Sequence, residues 1–343
     1  MGRTTWCSGP WARASGGRRP GGRRSWSSPS PTPAPGRRGP DMPLSLFPGA
    51  EVEPLTPERV EAVLGSRHLG GRVLHFSVLD TTMEVARREA QSGAAEGLLV
   101  LAEEQRAGRG RYHRRWEAPF GSSLLASLLL RPTFLPPERA FLLTALAALA
   151  VAEAVEEVSG LPCTLKWPND VLLQGRKVCG ILVELEGTAR RLEWAVVGWG
   201  LNVNVDFRAS ELAGRAISLA EAAGRPFPRL PLLAACLGRM EAHYQALRAG
   251  QGEAVWSAWR GRLSMLGRPV EVASPEGMFS GLALDVAPDG ALLVRRADGR
   301  LERVRAGDVM LPTGGDDAYC DGGGSCCPGP QGGAEGVPSG VGA

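Results

Sequence analysis

The sequence predicts an α+β fold: interspersed strands and helices over residues 72–262, then a small all-β unit over 263–312. Three observations predict it. Apolar runs of strand length stand among helical stretches up to Arg262. After Arg262 only short alternating runs remain, separated by turn signals. The ends, 1–41 and 313–343, are rich in Gly, Pro and Ser, have little to bury, and read as disordered.

The elements follow in order. Segment 42–71 has room for one helix, opened by Thr56-Pro57-Glu58 with an N-cap and a proline at the first helical position, and ended at Gly65. "RVLHFSVLD" (72–80) reads as a strand and "TTMEVARREAQSG" (81–93) as the helix after it, stopped by Gly93. "EGLLVLAEE" (96–104) has the continuous apolar character of a buried central strand. "GSSLLASLLLRP" (121–132) is another strand, ended by Pro132, and residues 137–158 form a long Ala/Leu helix. A hairpin runs through "NDVLLQ", the turn at Gly175-Arg176, and "KVCGILVELEG". "LEWAVVGWGLNVN" (192–204) is expected to end the sheet in a glycine-punctuated loop, before helices around 230–249 and 252–262. Turn signals at Pro275-Glu276-Gly277, Pro288-Asp289-Gly290 and Asp298-Gly299 then cut the remainder into a barrel of SH3-like scale.

Composition excludes several classes. The chain has 343 residues, 43% of them apolar, enough for one or two cores. Its most apolar stretch, "RAFLLTALAALAVAEAVEEV", carries charges at both ends and within, which argues against a membrane span. No apolar segment follows the N-terminal arginines, so they do not read as a secretory signal. Seven cysteines without a C-x-x-C pair favour reduced thiols acting as small hydrophobes, and a cytoplasmic setting. Eight Arg and one Asp give residues 1–41 a local +7, so the rest nets −4 within the overall +3. The basic tail could touch nucleic acid, but it reads as a solvated coil, and translation is expected to start at Met42.

Two Gly/Arg stretches invite comparison: "GGRRPGGRRS" in the tail and "EEQRAGRGRYHRRW" after the buried strand. Only the second has a frame to position it. Gly108 and Gly110 would let backbone approach a ligand, Arg109 and Arg111 suit phosphate or carboxylate oxygens, and Trp116 could stack on a flat ring. A plain surface turn fits the same residues. In "LKWPNDVLLQGRKVCGILVEL", Pro168 fixes a turn among Lys166, Asn169 and Asp170, and Lys177 opens the return strand, where it can be aimed. An exposed hairpin lysine and a turn-forming aspartate fit equally well. Asp80-Thr81-Thr82-Met83 sits at a strand-to-helix junction able to hold a ureido or carboxylate group, or simply to cap the helix. Gly198-Trp199-Gly200-Leu201-Asn202 reads as another close-approach loop.

Taken together, "DTT", "EEQRAGRGR", "KWPND", "GRKVCGILVE" and "GWGLN" resemble, in order and spacing, the catalytic core of the biotin protein ligases. The resemblance covers roughly residues 72–311 and implies a mixed-sheet catalytic domain of the biotin/lipoate ligase type over 72–262, with an SH3-like barrel over 263–312. It implies a monofunctional ligase using ATP, Mg²⁺ and biotin, which forms biotinyl-5′-AMP and transfers biotin to a lysine of the carrier domain of acetyl-CoA carboxylase. By position, Lys177, Arg111 and Asp170 are the expected catalytic residues. Expected biotin contacts are Thr81, Thr82, Met83, Gln105, Arg109, Gly110, Arg111, Lys177, Gly198 and Gly200. Expected nucleotide contacts are Arg109, Arg111, Trp116, Lys166, Asn169, Lys177 and Asn202, and no residue is expected to ligate a metal.

The chain departs from the family pattern at His113, where the loop often has glycine, and at Met83, where asparagine is frequent. Lipoate–protein ligase is the nearest alternative, which the "KWPND" segment and the barrel disfavour. The other alternative is a bifunctional ligase/repressor. It would need a helix-turn-helix, for which 42–71 has too little room, so no sequence-specific DNA partner and no membrane partner are expected. Oligomeric state stays open, a homodimer included.

Overall fold

The computed structural model describes residues 4–6, 44–65 and 67–311. The expected start at Met42, the remainder of the basic tail, and the tail 313–343 lie outside them. In chain order the elements are β1 (Thr4–Trp6), β2 (Ser45–Leu46), α1 (Pro57–Leu64), β3 (Arg72–Leu79), α2 (Thr82–Gln91), β4 (Leu98–Gln105), β5 (Gly108–Arg109), β6 (Arg115–Trp116) and β7 (Ser123–Leu130). Then come α3 (Phe141–Ser159), β8 (Cys163–Lys166), β9 (Asp170–Leu173), β10 (Arg176–Gly187), β11 (Leu192–Asn202), β12 (Val205–Asp206), α4 (Leu219–Ala223), α5 (Arg229–Arg248) and α6 (Gly252–Gly261). The C-terminal strands are β13 (Pro269–Ser274), β14 (Gly277–Val286), β15 (Leu292–Arg295), β16 (Leu301–Val304) and β17 (Asp308–Met310).

The main sheet has the order β3-β4-β7-β11-β10-β9-β8. β3 and β4 are parallel, joined by α2 as a crossover, and the other pairs are antiparallel, so the sheet is mixed as expected. β1 pairs with the far end of β10, so three residues of the basic tail form a strand where the sequence predicts coil.

Side chains alternate along a strand, so β4 feeds two cores. Leu99 and Leu101 join α3 and α5 on one face, while Leu98 and Val100 meet Met83, Ala86 and Ala90 of α2 on the other. The apolar stretch that resembles a membrane span is α3, buried from Leu142 to Val155 between the sheet and α5 and α6. Among the described residues no helix is long and apolar enough to cross a membrane.

The C-terminal unit is a five-stranded antiparallel sheet of order β16-β15-β14-β13-β17. Its apolar residues, Val270, Val272, Val286 and Leu292 among them, belong to the same core as α3. At the seam Trp167 Nε1 donates to the Gly290 carbonyl at 2.8 Å. A Cβ at Gly290 would run into the ring of Phe141, so this turn needs its glycine for close approach as well as for its φ of 85°.

Two expectations need correcting. Gly198, Gly200 and Asn202 are not in a loop; they lie in the β11 ladder, paired on both sides through Asn202↔Ser123, Gly200↔Leu125 and Gly200↔Gly180. Neither glycine has positive φ, and both serve to keep a sheet face clear. The second Gly/Arg stretch is likewise not an open loop but a small hairpin, β5 on β6, with a turn of 3₁₀ type at Arg111–His113. A Cβ at Gly108 would collide with the Trp116 carbonyl across that hairpin, so this glycine admits its own chain rather than a ligand.

Candidate active site

The "KWPND" segment is the turn of the β8–β9 hairpin, with Lys166 and Asp170 as cross-strand partners and a cis Trp167–Pro168 peptide between them. Asn169 clasps the neighbouring strand: its amide donates to the Ile181 carbonyl at 2.5 Å, and its own carbonyl accepts from Ile181 N at 2.9 Å. The next turn, Gln174-Gly175, has both residues at positive φ, the geometry of a two-residue hairpin, and returns the chain as β10.

Lys177 lies at the start of β10, where the pairing with β9 shifts register. β11 has ended there, and the segment 215–217 takes its place. Lys177 N donates to the Arg215 carbonyl and Ile217 N donates to the Lys177 carbonyl, each at 3.0 Å. Asn202 Nδ2 donates to the Ile217 carbonyl at 3.2 Å and ties this strap to the end of β11. Asn202, 3% exposed, therefore reaches Lys177 through backbone.

From that fixed backbone Lys177 Nζ reaches Asp170 Oδ1 at 2.6 Å, while Lys166 Nζ lies 3.4 Å from Asp170 Oδ2. Two ammonium groups thus share one carboxylate, leaving a surplus positive charge in a group that solvent still reaches. The Trp116 ring closes one side, its centroid 5.6 Å from Lys177 Nζ. The indole lies on Gly200 and Gly180, where Cβ atoms would fall 2.5 and 3.2 Å from ring carbons. The Trp116 indole nitrogen is buried and has no hydrogen-bond partner.

Next along β11, a Cβ at Gly198 would strike the Met83 sulfur and come 3.4 Å from Ser127 Oγ. Ser127 Oγ is 2.8 Å from Thr82 Oγ1, and Gln105 Oε1 accepts from both Thr82 N, at 2.8 Å, and Thr82 Oγ1, at 3.2 Å. Gln105 therefore caps α2; the N-cap residue Thr81 makes no side-chain cap bond. A polar nest of Thr82, Gln105 and Ser127 faces an apolar wall of Met83 over glycine.

The hairpin arginines make their own contacts. Arg109 Nη2 is 3.5 Å from Glu184 Oε1 on β10. Arg111 Nη1 donates to the Gly307 carbonyl at 2.9 Å and lies 3.6 Å from Asp308 Oδ1, while Arg114 Nη2 is 2.5 Å from Asp308 Oδ2. The structure thus joins Lys166, Asp170, Lys177 and Trp116 directly, and groups Thr82, Met83, Gln105 and Gly198. Arg111 it attaches to the C-terminal sheet. Gly180, Ser127, Tyr112 and Asp308 are additions the sequence reading missed. Gly180 had a signal, a glycine in the strand expected to pair with "GWG"; Asp308 had none.

The described thiols are buried. Cys163, Cys179 and Cys236 are free and buried; burial raises all three, Cys163 to about 12, so Cys179, two residues from Lys177, is no nucleophile. Among the described residues no group of three or more His, Cys, Asp or Glu could hold a metal.

Comparison with known proteins gives the same reading from independent directions. Residues 75–202 match the biotin/lipoate A/B protein ligase family, and residues 265–311 match the biotin protein ligase C-terminal domain. The bifunctional ligase/repressor BirA of Bacillus subtilis is 32% identical over 260 residues, 75% of this chain and 79% of that protein. The biotin–[acetyl-CoA-carboxylase] ligase of Mycobacterium tuberculosis is 31% identical over 234 residues, 67% of this chain and 85% of its own length. A solved biotin protein ligase from Aquifex aeolicus, in complex with biotin and ATP, superposes with a TM-score of 0.61 at 28% identity, covering 71% of this chain and 99% of that one. Relatives above 30% identity that match over most of their own length decide the question: the chain belongs to the biotin protein ligase family and is a ligase.

Proposed function

We propose that the protein attaches biotin to a lysine of a biotin carboxyl carrier domain in two steps. A carboxylate oxygen of biotin attacks the α-phosphorus of ATP, the bond to the bridging oxygen breaks, and pyrophosphate leaves biotinyl-5′-AMP behind. The amine of the carrier lysine then attacks the acyl carbon, AMP departs with the bonding pair, and the new amide nitrogen loses a proton. The first step presses two anions together, so fixed cations are what it needs most. The observation that carries the reading is the Lys166–Asp170–Lys177 group, whose surplus charge sits beside an aromatic face and a glycine floor.

In this reading Lys177 contacts the reacting carboxylate and phosphate oxygens, and Asp170 keeps both ammonium groups at that opening. Thr81, Thr82, Met83, Gln105, Gly110, Gly198 and Gly200 surround biotin. Trp116, Lys166 and Asn169 serve the nucleotide, with Asn202 acting through the 215–217 strap. Arg109 and Arg111 supply further positive charge. In this reading Mg²⁺ enters as the ion carried by ATP. Names support the ligands: the Aquifex aeolicus structure holds biotin and ATP, and the mycobacterial relative acts on acetyl-CoA carboxylase. The match to the biotin ligase C-terminal domain favours biotin over lipoate. The test is incubation with biotin, ATP, Mg²⁺ and a carrier domain, read by intact mass. The carrier gains one biotin on its lysine; an unlabelled carrier would overturn the reading.

A further inference from the structure

We infer that Tyr112 is a positioning residue for Arg111, an inference that rests on the ligase reading above. Arg111 is gripped from two directions. Its Nη1 donates to the Gly307 carbonyl at 2.9 Å, and its Nη2 donates to the Tyr112 hydroxyl at 3.2 Å. The guanidinium carbon also lies 4.9 Å from the centroid of the Tyr112 ring. Two of the guanidinium's five N–H donors are thereby fixed in direction, which sets the plane in which the others are presented. The remaining neighbour, Asp308 Oδ1 at 3.6 Å, attracts the charge without a hydrogen bond.

The backbone shows that this grip is built. Tyr112 has φ 54° and ψ 37°, a left-handed conformation that a glycine adopts freely and a tyrosine only against steric cost. Neighbouring side chains on extended backbone point to opposite sides. The left-handed residue turns the ring back beneath the preceding arginine, which is how residues adjacent in sequence come to touch. A side chain held in strained backbone beside a charged group is a mark of function more than of packing, and Tyr112 is 43% exposed, so burial does not explain it. Its partner Gly307 stands in the turn before β17, so the hydroxyl and the C-terminal sheet together hold one arginine. A cation that must meet charge developing in a reaction acts best when it does not have to be ordered at that moment.

The test uses biotin-dependent exchange of pyrophosphate into ATP by the full chain. Tyr112→Phe keeps the ring and the backbone conformation and removes only the acceptor. We expect kcat/KM to fall about three- to ten-fold, the range of one net hydrogen bond, with an unchanged thermal midpoint. In an Arg111→Lys background the same substitution changes nothing further, because its effect passes through the arginine. If exchange by Arg111→Lys is too slow to follow, the same cycle is read from the ATP dissociation constant by calorimetry. Wild-type rates in Tyr112→Phe, or an equal loss in both backgrounds, would overturn the inference. A wild-type protein without any exchange would remove the ligase reading instead, and this inference with it.

Discussion

The molecule contains two groups of paired charges built in opposite ways. In the first, Glu103 Oε2 meets Arg229 Nη1 at 2.6 Å with side chains 1% and 3% exposed. Glu103 Oε1 accepts from Leu55 N and pairs with His75 Nε2, while Arg229 also donates to the carbonyls of Ser123 and Glu53. In the second, Asp170 is shared by Lys166 and Lys177, with side chains 12–35% exposed. The first is balanced, desolvated and closed, and it ties the segment before α1 to β4 and β7. The second is unbalanced and open. Strong pairing alone therefore does not mark a site; unspent charge within reach of solvent does.

The largest expected effect tests the closed group. Arg229→Met leaves a buried carboxylate without its cation and should cost about 3–5 kcal/mol of unfolding free energy, read from urea denaturation. A loss under about 1 kcal/mol, typical of surface pairs, would break the contrast. Acid sharpens it. Burial works to raise the Glu103 pKa, but Arg229, the Leu55 N–H and His75 outweigh it and hold the carboxyl below its ordinary value. A depressed folded pKa contributes stability above the unfolded value, near 4.5, and loses it as pH falls through the folded one. The contribution of this carboxylate to wild-type stability should therefore fall away below about pH 4.5.

Next comes the open group. Lys177→Ala should slow biotin-dependent pyrophosphate exchange by about 10²–10³, the scale of one preorganised charge at a reacting centre, while moving the thermal midpoint little. Loss of stability comparable to that of Arg229→Met would show Lys177 to be structural. A smaller effect is expected at the floor between them. Gly200→Ala places a Cβ 2.5 Å from the Trp116 indole, so ring or sheet must shift, at about 1–3 kcal/mol. We expect KM for biotin or ATP to rise about ten-fold, or about 1.4 kcal/mol, toward the lower end of that range. Gly261→Ala, where a Cβ meets nothing within 4 Å, is the control.

The two groups also differ in how far they could be read from sequence. Lys166, Asp170 and Lys177 lie on two successive hairpins, so local turn chemistry alone brings them together. The β4 and β7 strands were equally legible as continuous apolar runs. Glu103 and Arg229 stand far apart in the chain, as do Arg111 and Gly307, and no local pattern announces either pair. The glycines of β11 were visible but misread. A glycine that relieves a turn and one that makes room for a distant side chain look alike in sequence; here Met83 and Trp116, from α2 and β6, decide the matter. Capping α2 is the plain alternative for Thr81 and Thr82, and Gln105 from the next strand does it, another contact beyond local reach.

The smallest effect separates the two lysines. They are not equivalent, though both carry the same charge. Lys177 stands 2.6 Å from Asp170 on backbone held by β9 on one side and the 215–217 strap on the other, whereas Lys166 stands 3.4 Å away, beside Leu165, whose backbone is held by β9 and by Arg262 and Ser264. A cation in close contact with its carboxylate is preorganised, and one held more loosely must be ordered when the anions arrive, so less of its charge is realised there. Lys166→Ala should therefore lower exchange about ten-fold or less, well short of Lys177→Ala. The double variant should lose less than the product of the two, because each lysine's position depends on the carboxylate they share. Equal single losses with a fully multiplicative double would mean that the two ammonium groups act as independent surface charges, and the idea of a shared, surplus-charged centre would fail.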